Sequence, residues 1–136
     1  MDVKIRYEGG LRFTMQARDH ECIIDMPEAK GGTDKGPIPP EMIAGALGAC
    51  VGIFIAQYCQ MVGLPTEGLA VDTEFEYDDS DKPTIMTDIR VKVTLPAGIP
   101  EERLDAIQKV ANTCIVHKTL LEALQMEIAL VQPESE

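Results

Sequence analysis

Between Pro37 and Val62 the chain runs for 26 residues with a single charge, Glu41. Prolines 37, 39 and 40 crowd the start of this run, where a helix tolerates them because its first N–H groups lack partners. Gly63 and Pro65 mark its end. The pattern predicts about six turns of helix. Ile43, Leu47, Cys50, Phe54, Tyr58 and Met61 recur at steps of three and four, which places them on one face. Gly45, Gly48, Gly52 and Ala56 form a second stripe. An interior glycine costs a helix roughly 1 kcal/mol relative to alanine, so this stripe is expected to admit another backbone at close range. A helix apolar on more than one side also needs cover on more than one side. A chain of 136 residues is short for that task, and a second copy is the expected source.

The rest of the chain reads as short strands and helices around that rod. Val3–Tyr7 and Leu11–Arg18 alternate apolar with polar residues and are joined by Glu8-Gly9-Gly10, which predicts a hairpin. A short third strand follows at Glu21–Asp25, then a loop from Pro27 to Pro40 in which Gly31-Gly32 is expected to need positive φ. Beyond the long helix, Leu69–Tyr77 and Ile85–Leu95 alternate around the turn at 78–83 and form a second hairpin. Acidic residues after Pro100 open a helix whose apolar face carries Leu104, Ile107, Ala111 and Cys114. A further helical turn is expected at Thr119–Leu124, and a last strand at Met126–Val131. Strands and helices are segregated, not alternating. The fold class is therefore α+β, with a mainly antiparallel sheet in one domain spanning 1–136.

Charge excludes several function classes. The net charge is −11 and the isoelectric point about 4.5, which leaves nothing to neutralise phosphates and argues against nucleic acid. The same acidity disfavours an anionic membrane surface. Gln57, Gln60 and the glycines suit a protein-buried helix better than a bilayer span, and no basic flank orients it. Asp2, Lys4, Arg6 and Glu8 interrupt any leader-like apolar run. Four cysteines without a secretory signal imply a reducing compartment, so a cytoplasmic location is expected. Their positions, 22, 50, 59 and 114, match no zinc-binding spacing, and His20 and His117 form no i,i+4 pair. No metal or cofactor is expected.

Cys50 and Cys114 hold the chemical interest. Each falls on an apolar helix face, and both faces must share one core. Free cysteine also serves as plain packing, so pattern alone leaves structural and functional readings open. Cys22 and Cys59 read as packing. Glu41 lies in the first turn of the long helix, where a carboxylate complements the helix dipole. Nine residues rise about 13 Å along a helix, which keeps Glu41 from touching Cys50 of the same chain unless the helix start bends or the site lies between subunits. His117 is placed to tune Cys114 or simply to occupy a helix start. The acids at 78, 79 and 81 read as a solvated turn, not a calcium loop.

The segments Asp25-Met26-Pro27, Gly31-Gly32 and Gly36 through Cys50, together with Cys114-Ile115-Val116-His117-Lys118-Thr119-Leu120, resemble the OsmC/Ohr family of thiol-dependent peroxidases. Ile115 stands where that family's second motif has a proline. The resemblance implies an OsmC-like α+β fold in which two subunits intertwine around their long central helices. It implies a peroxidatic Cys50, a resolving Cys114, an organic hydroperoxide as substrate and an external dithiol as reductant. It further implies that Glu41 supports the site by orienting an arginine toward the thiolate. Arg12, just after Gly9-Gly10, is the nearest match for that binding residue, although its strand alternation points it outward. Two other readings stand beside this one. The first is a non-enzymatic OsmC-fold dimer that binds a small apolar ligand or senses redox state. The second is an acyl-thioester hydrolase, weakened by the lack of a mid-helix carboxylate.

Overall fold

The computed structural model describes residues 1–122 and 124–134. Strands β1 (Lys4–Gly9), β2 (Arg12–Ala17) and β3 (His20–Ile24) form an antiparallel meander. Gly9 and Gly10 turn the first hairpin at φ 109° and 57°, a region in which L side chains are strained. The register places Ile5 opposite Met15, Tyr7 opposite Phe13, Met15 opposite Cys22 and Phe13 opposite Ile24. Directly opposed residues share a face, so one side of this sheet is apolar. Arg12 alternates onto the other side with Thr14 and Gln16.

Helix α1 (Pro39–Val62) has the bounds that its prolines and Gly63 predict, and Gly63 closes it in the left-handed region at φ 76°. Strands β4 (Ala70–Asp78) and β5 (Ile85–Thr94) form a separate antiparallel hairpin with a bulge at Glu74–Glu76. Two short helices follow, α2 (Leu104–Ala111) and α3 (Ile115–Leu121). The core consists of Ala44, Leu47, Val51, Ile55 and Cys59 of α1, Ile107 of α2, and Cys114.

Several expectations need correction. The buried stripe of α1 runs through Ala44, Leu47, Gly48, Val51, Ile55 and Cys59, rotated from the expected face. Ile43 and Met61 are exposed, and Cys50 and Tyr58 lie at the stripe's margin. The glycines do not receive a backbone within the chain. A Cβ at Gly48 would stand 3.0 Å from Thr73 Cγ2 and one at Gly52 3.3 Å from Val71 Cγ2, while Gly45 faces open space. The gaps at Gly48 and Gly52 therefore admit side chains of β4. Gly31 does adopt positive φ, 88°, but Gly32 and Gly36 are required for another reason: a Cβ there would collide with the backbone of Met26 and Ile23.

The apolar face expected to carry Cys114 ends early. Helix α2 stops at Ala111, and a turn at Asn112–Thr113 leads to Cys114 as the residue capping α3. The helical segment expected at 119–124 is α3, which begins at Ile115; Ala123 lies outside the described residues. Met126–Val131 forms no strand. Met126, Ile128, Leu130 and Val131 are 81–96% exposed. A strand exists only by pairing, and among the described residues this segment pairs with no neighbouring strand.

Candidate functional site

The two cysteines that the sequence singles out meet. Both are free thiols. Cys50 is half-buried on α1 and packs against the core cluster that contains fully buried Cys114, near enough that each sulfur influences the other's ionisation. The two sulfurs differ in environment. Burial pushes the Cys50 thiol up, yet the Cys114 hydrogen bond and the backbone N–H groups of Val116 and Ile115 together outweigh it, and its pKa falls below the ordinary thiol value. Burial pushes Cys114 up as well, and its hydrogen bond to Cys50 and the charge on that sulfur push the same way. Donation from the N–H groups of His117 and Val116 does not compensate. Cys50 is thus the more acidic thiol of the pair and Cys114 the less acidic one.

Local structure explains this arrangement. Cys114 adopts φ −52°, ψ 131° and caps α3, its Sγ accepting from His117 N at 3.4 Å. The His117 imidazole Nδ1 lies 3.3 Å from the Asn112 carbonyl, across the turn that carries Cys114. Glu41 is exposed and occupied at the start of α1, where Oε2 accepts from Ile38 N at 3.0 Å in a capping-box contact. Among the described residues, neither Glu41 nor Arg12 touches Cys50 within one chain.

A carboxylate that sequence reasoning missed organises the loop leading to α1. Asp25 is buried and accepts from Met26 N (2.7 Å), Thr33 Oγ1 (2.5 Å), Lys35 N (3.2 Å) and Thr33 N (3.3 Å). The Thr33 hydroxyl is the main cause that lowers its pKa to about 2; burial opposes, and the three backbone N–H groups assist. The available signal was an Asp at a strand end facing a Gly-Gly-Thr turn.

Residues 32–129 match the family described as OsmC-like protein. The chain belongs to the OsmC-like family. Solved structures similar to this OsmC-like protein include one from Psychrobacter arcticus 273-4, described as an osmotic-stress-induced and detoxification response protein (TM-score 0.78, 19% identity, 86% of this chain and 85% of that one). An OsmC-like protein from Mycoplasma pneumoniae superposes with TM-score 0.76 at 16% identity over 88% and 86%. An organic hydroperoxide resistance protein from Elizabethkingia anophelis gives 0.62 at 17% over 88% and 87%. These likenesses establish the OsmC fold. No curated protein matches the chain.

The remaining features of the OsmC-like protein lie around this pair. Cys59 is fully buried and its thiol is pushed up by burial alone, which leaves it inert. Cys22 sits on β3, opposite Met15 in the separate sheet. A cavity of about 470 Å³ lies between α1, β5 and α2, walled by Leu47, Val51, Ile55 and Ile107 with His117 at its edge. Among the described residues no cluster of His, Cys, Asp or Glu could hold a metal ion.

Proposed function

We propose that this OsmC-like protein is a thiol peroxidase acting on organic hydroperoxides. The packing of half-buried Cys50 against the cluster that contains Cys114, with Cys50 the more acidic of the two thiols, carries the reading. Family membership and a structural neighbour named for organic hydroperoxide resistance support it. The Cys50 thiolate attacks the terminal peroxide oxygen and the O–O bond breaks. The alkoxide leaves as an alcohol after taking a proton, and Cys50 becomes a sulfenic acid. The Cys114 sulfur attacks that sulfenic sulfur, water departs and a disulfide forms. An external dithiol reduces it through thiol–disulfide exchange and is itself oxidised.

The working unit in this proposal is a homodimer. Only 33% of the most apolar window of α1 is buried in one chain, and among the described residues the apolar face of the β1–β3 sheet stays largely exposed at Ile5, Tyr7 and Phe13. Glu41 orients an arginine, with Arg12 as the candidate, across the subunit boundary. The proposed setting is cytoplasmic, where disulfides are reduced.

Turnover of cumene hydroperoxide with a panel of dithiols tests the reading. Cys50→Ser should abolish it, and full activity in that variant would eliminate the mechanism. One equivalent of hydroperoxide should join the Cys50 and Cys114 peptides and spare Cys22 and Cys59. The cavity beside α1 favours a second reading, a dimer that binds a small apolar ligand, since its volume suits one. Saturable binding of an apolar probe together with no turnover on any dithiol would select that alternative.

A further inference from the structure

We propose that His117 determines what the cavity between α1, β5 and α2 binds, its Nε2 selecting an uncharged ligand with an apolar body and one hydroxylic head group. The inference rests on the reading of that cavity as a ligand site and names the class of compound it takes. The volume, about 470 Å³, is that of a small-molecule pocket. Ile55, Val93 and Ile107 are among its apolar walls, and its polar lining comes from Gln108, Asn112 and His117. Among the described residues no Asp, Glu, Lys or Arg lines it. A carboxylate or phosphate there would find no counter-charge, and the chain's net charge of −11 sets an unfavourable field against it. A plain hydrocarbon would cover the polar groups without pairing them. A neutral amphiphile meets both conditions.

The head group follows from how His117 is held. Its N–H donates to Cys114 Sγ at 3.4 Å, and its ring Nδ1 lies 3.3 Å from the Asn112 carbonyl oxygen. A carbonyl can only accept, so Nδ1 carries the proton and Nε2 of the neutral ring is left as an acceptor. Among the described residues no protein group donates to Nε2. Gln108 Nε2 donates to Asn112 Oδ1 at 3.4 Å, so the neighbouring amides already serve each other. The two bonds made by His117 fix the ring before any ligand arrives, which lowers the cost of ordering it on binding. An O–H donor completes Nε2: an alcohol, a phenol or an organic hydroperoxide.

Three matched probes without an O–O bond test this apart from turnover: 2-phenyl-2-propanol, tert-butylbenzene and 2-methyl-2-phenylpropanoate. They share one body and carry a hydroxyl, a methyl and a carboxylate in the same place. Binding is read from the methyl resonances of Ile55 and Ile107 in the full-length protein. The alcohol should shift both saturably, and the carboxylate should not. His117→Phe keeps a planar ring and removes the acceptor. It should weaken the alcohol about three- to tenfold, the worth of one hydrogen bond, and leave the hydrocarbon unchanged. In the unsubstituted protein labelled with ¹⁵N-histidine, His117 should show its proton on Nδ1, and Nε2 should shift with the alcohol but not with tert-butylbenzene. This second measurement decides the matter if the variant does not fold. A proton on Nε2, an equal effect of His117→Phe on alcohol and hydrocarbon, or a carboxylate bound as tightly as the alcohol would overturn the assignment while leaving the cavity a ligand site. No saturable shift with any probe would overturn the ligand reading of the cavity and the role of His117 together.

Discussion

The meander of β1–β3 and the assembly of α1 with β4, β5, α2 and α3 solve the same burial problem differently. The second region contains its own core: Leu47, Val51, Ile55, Ile107 and Cys114 bury one another. The first contributes no buried apolar residue. Ile5, Tyr7 and Phe13 remain 37–64% exposed, with Tyr7 and Phe13 packed edge-to-face at 5.4 Å. Its one buried side chain is the hydrogen-bonded Asp25 at its exit. The family match begins at residue 32, after this sheet. In the proposed dimer, a second copy would cover the apolar face that this sheet leaves largely exposed within one chain. The two regions thus differ in cover: the α1–β4–β5–α2–α3 assembly buries its own apolar residues, and the meander leaves its apolar side largely exposed.

The largest effect expected from this difference concerns assembly. Sedimentation at low micromolar concentration should give one species near twice the 14.9 kDa chain mass. Placing charge on the bare face with Tyr7→Glu and Phe13→Glu should abolish that species. A folded monomer of the unsubstituted protein would break the comparison at its root.

Core and face should also respond differently to truncation. Ile55 is 1% exposed, and Ile55→Ala should cost about 2–5 kcal/mol in chemical denaturation. Phe13, 37% exposed within one chain, would lose well under that if the face stays in water. If a second copy covers it, Phe13→Ala should cost more than about 1 kcal/mol, with a loss that grows as the protein is diluted.

Asp25 sharpens the contrast through pH. Its carboxyl is held at about 2 against an ordinary 3.8, so the folded state binds its proton less tightly than the unfolded one. Its stabilising contribution is in full force above about pH 4 and is lost as pH falls from there through 2. Asp25→Asn should lower stability at neutral pH and flatten that part of the acid limb. An unchanged acid limb in the variant would show that other carboxylates control it.

Local signals made the fold largely legible. The bounds of α1 are set by Pro39 and Gly63, and the strands by period-two alternation, all of which act within a few residues. The failures occur where the determining contact is remote. Leu104, Ile107, Ala111 and Cys114 keep a helical period across a real break, because the turn at Asn112–Thr113 contains neither glycine nor proline. Met126–Val131 has a strand's pattern but no strand beside it. The buried face of α1 is chosen by β4 and α2, not by the helix's own composition. The Cys50–Cys114 contact was legible as a possibility because both residues had to share one core. The difference between the two sulfurs was not, since it depends on how deeply each is buried and on its place beside the start of α3.

Glu41 carries the smallest effect and divides two roles. In the single chain its carboxylate accepts from Ile38 N at 3.0 Å and is exposed, a cap whose loss in Glu41→Ala should cost roughly 0.5–1.5 kcal/mol. Glu41→Gln retains an acceptor oxygen and removes the charge, so it should recover most of that stability. If capping is the whole role, both variants reduce hydroperoxide as fast as the unsubstituted protein once folded. If Glu41 also orients an arginine across the subunit boundary, a neutral amide cannot replace it, because the pairing depends on charge. Glu41→Gln should then keep the stability and the dimer while slowing the first, sulfenate-forming step. Single-turnover kinetics on the two variants, measured with stability at one pH, separate the cap from the catalytic contact.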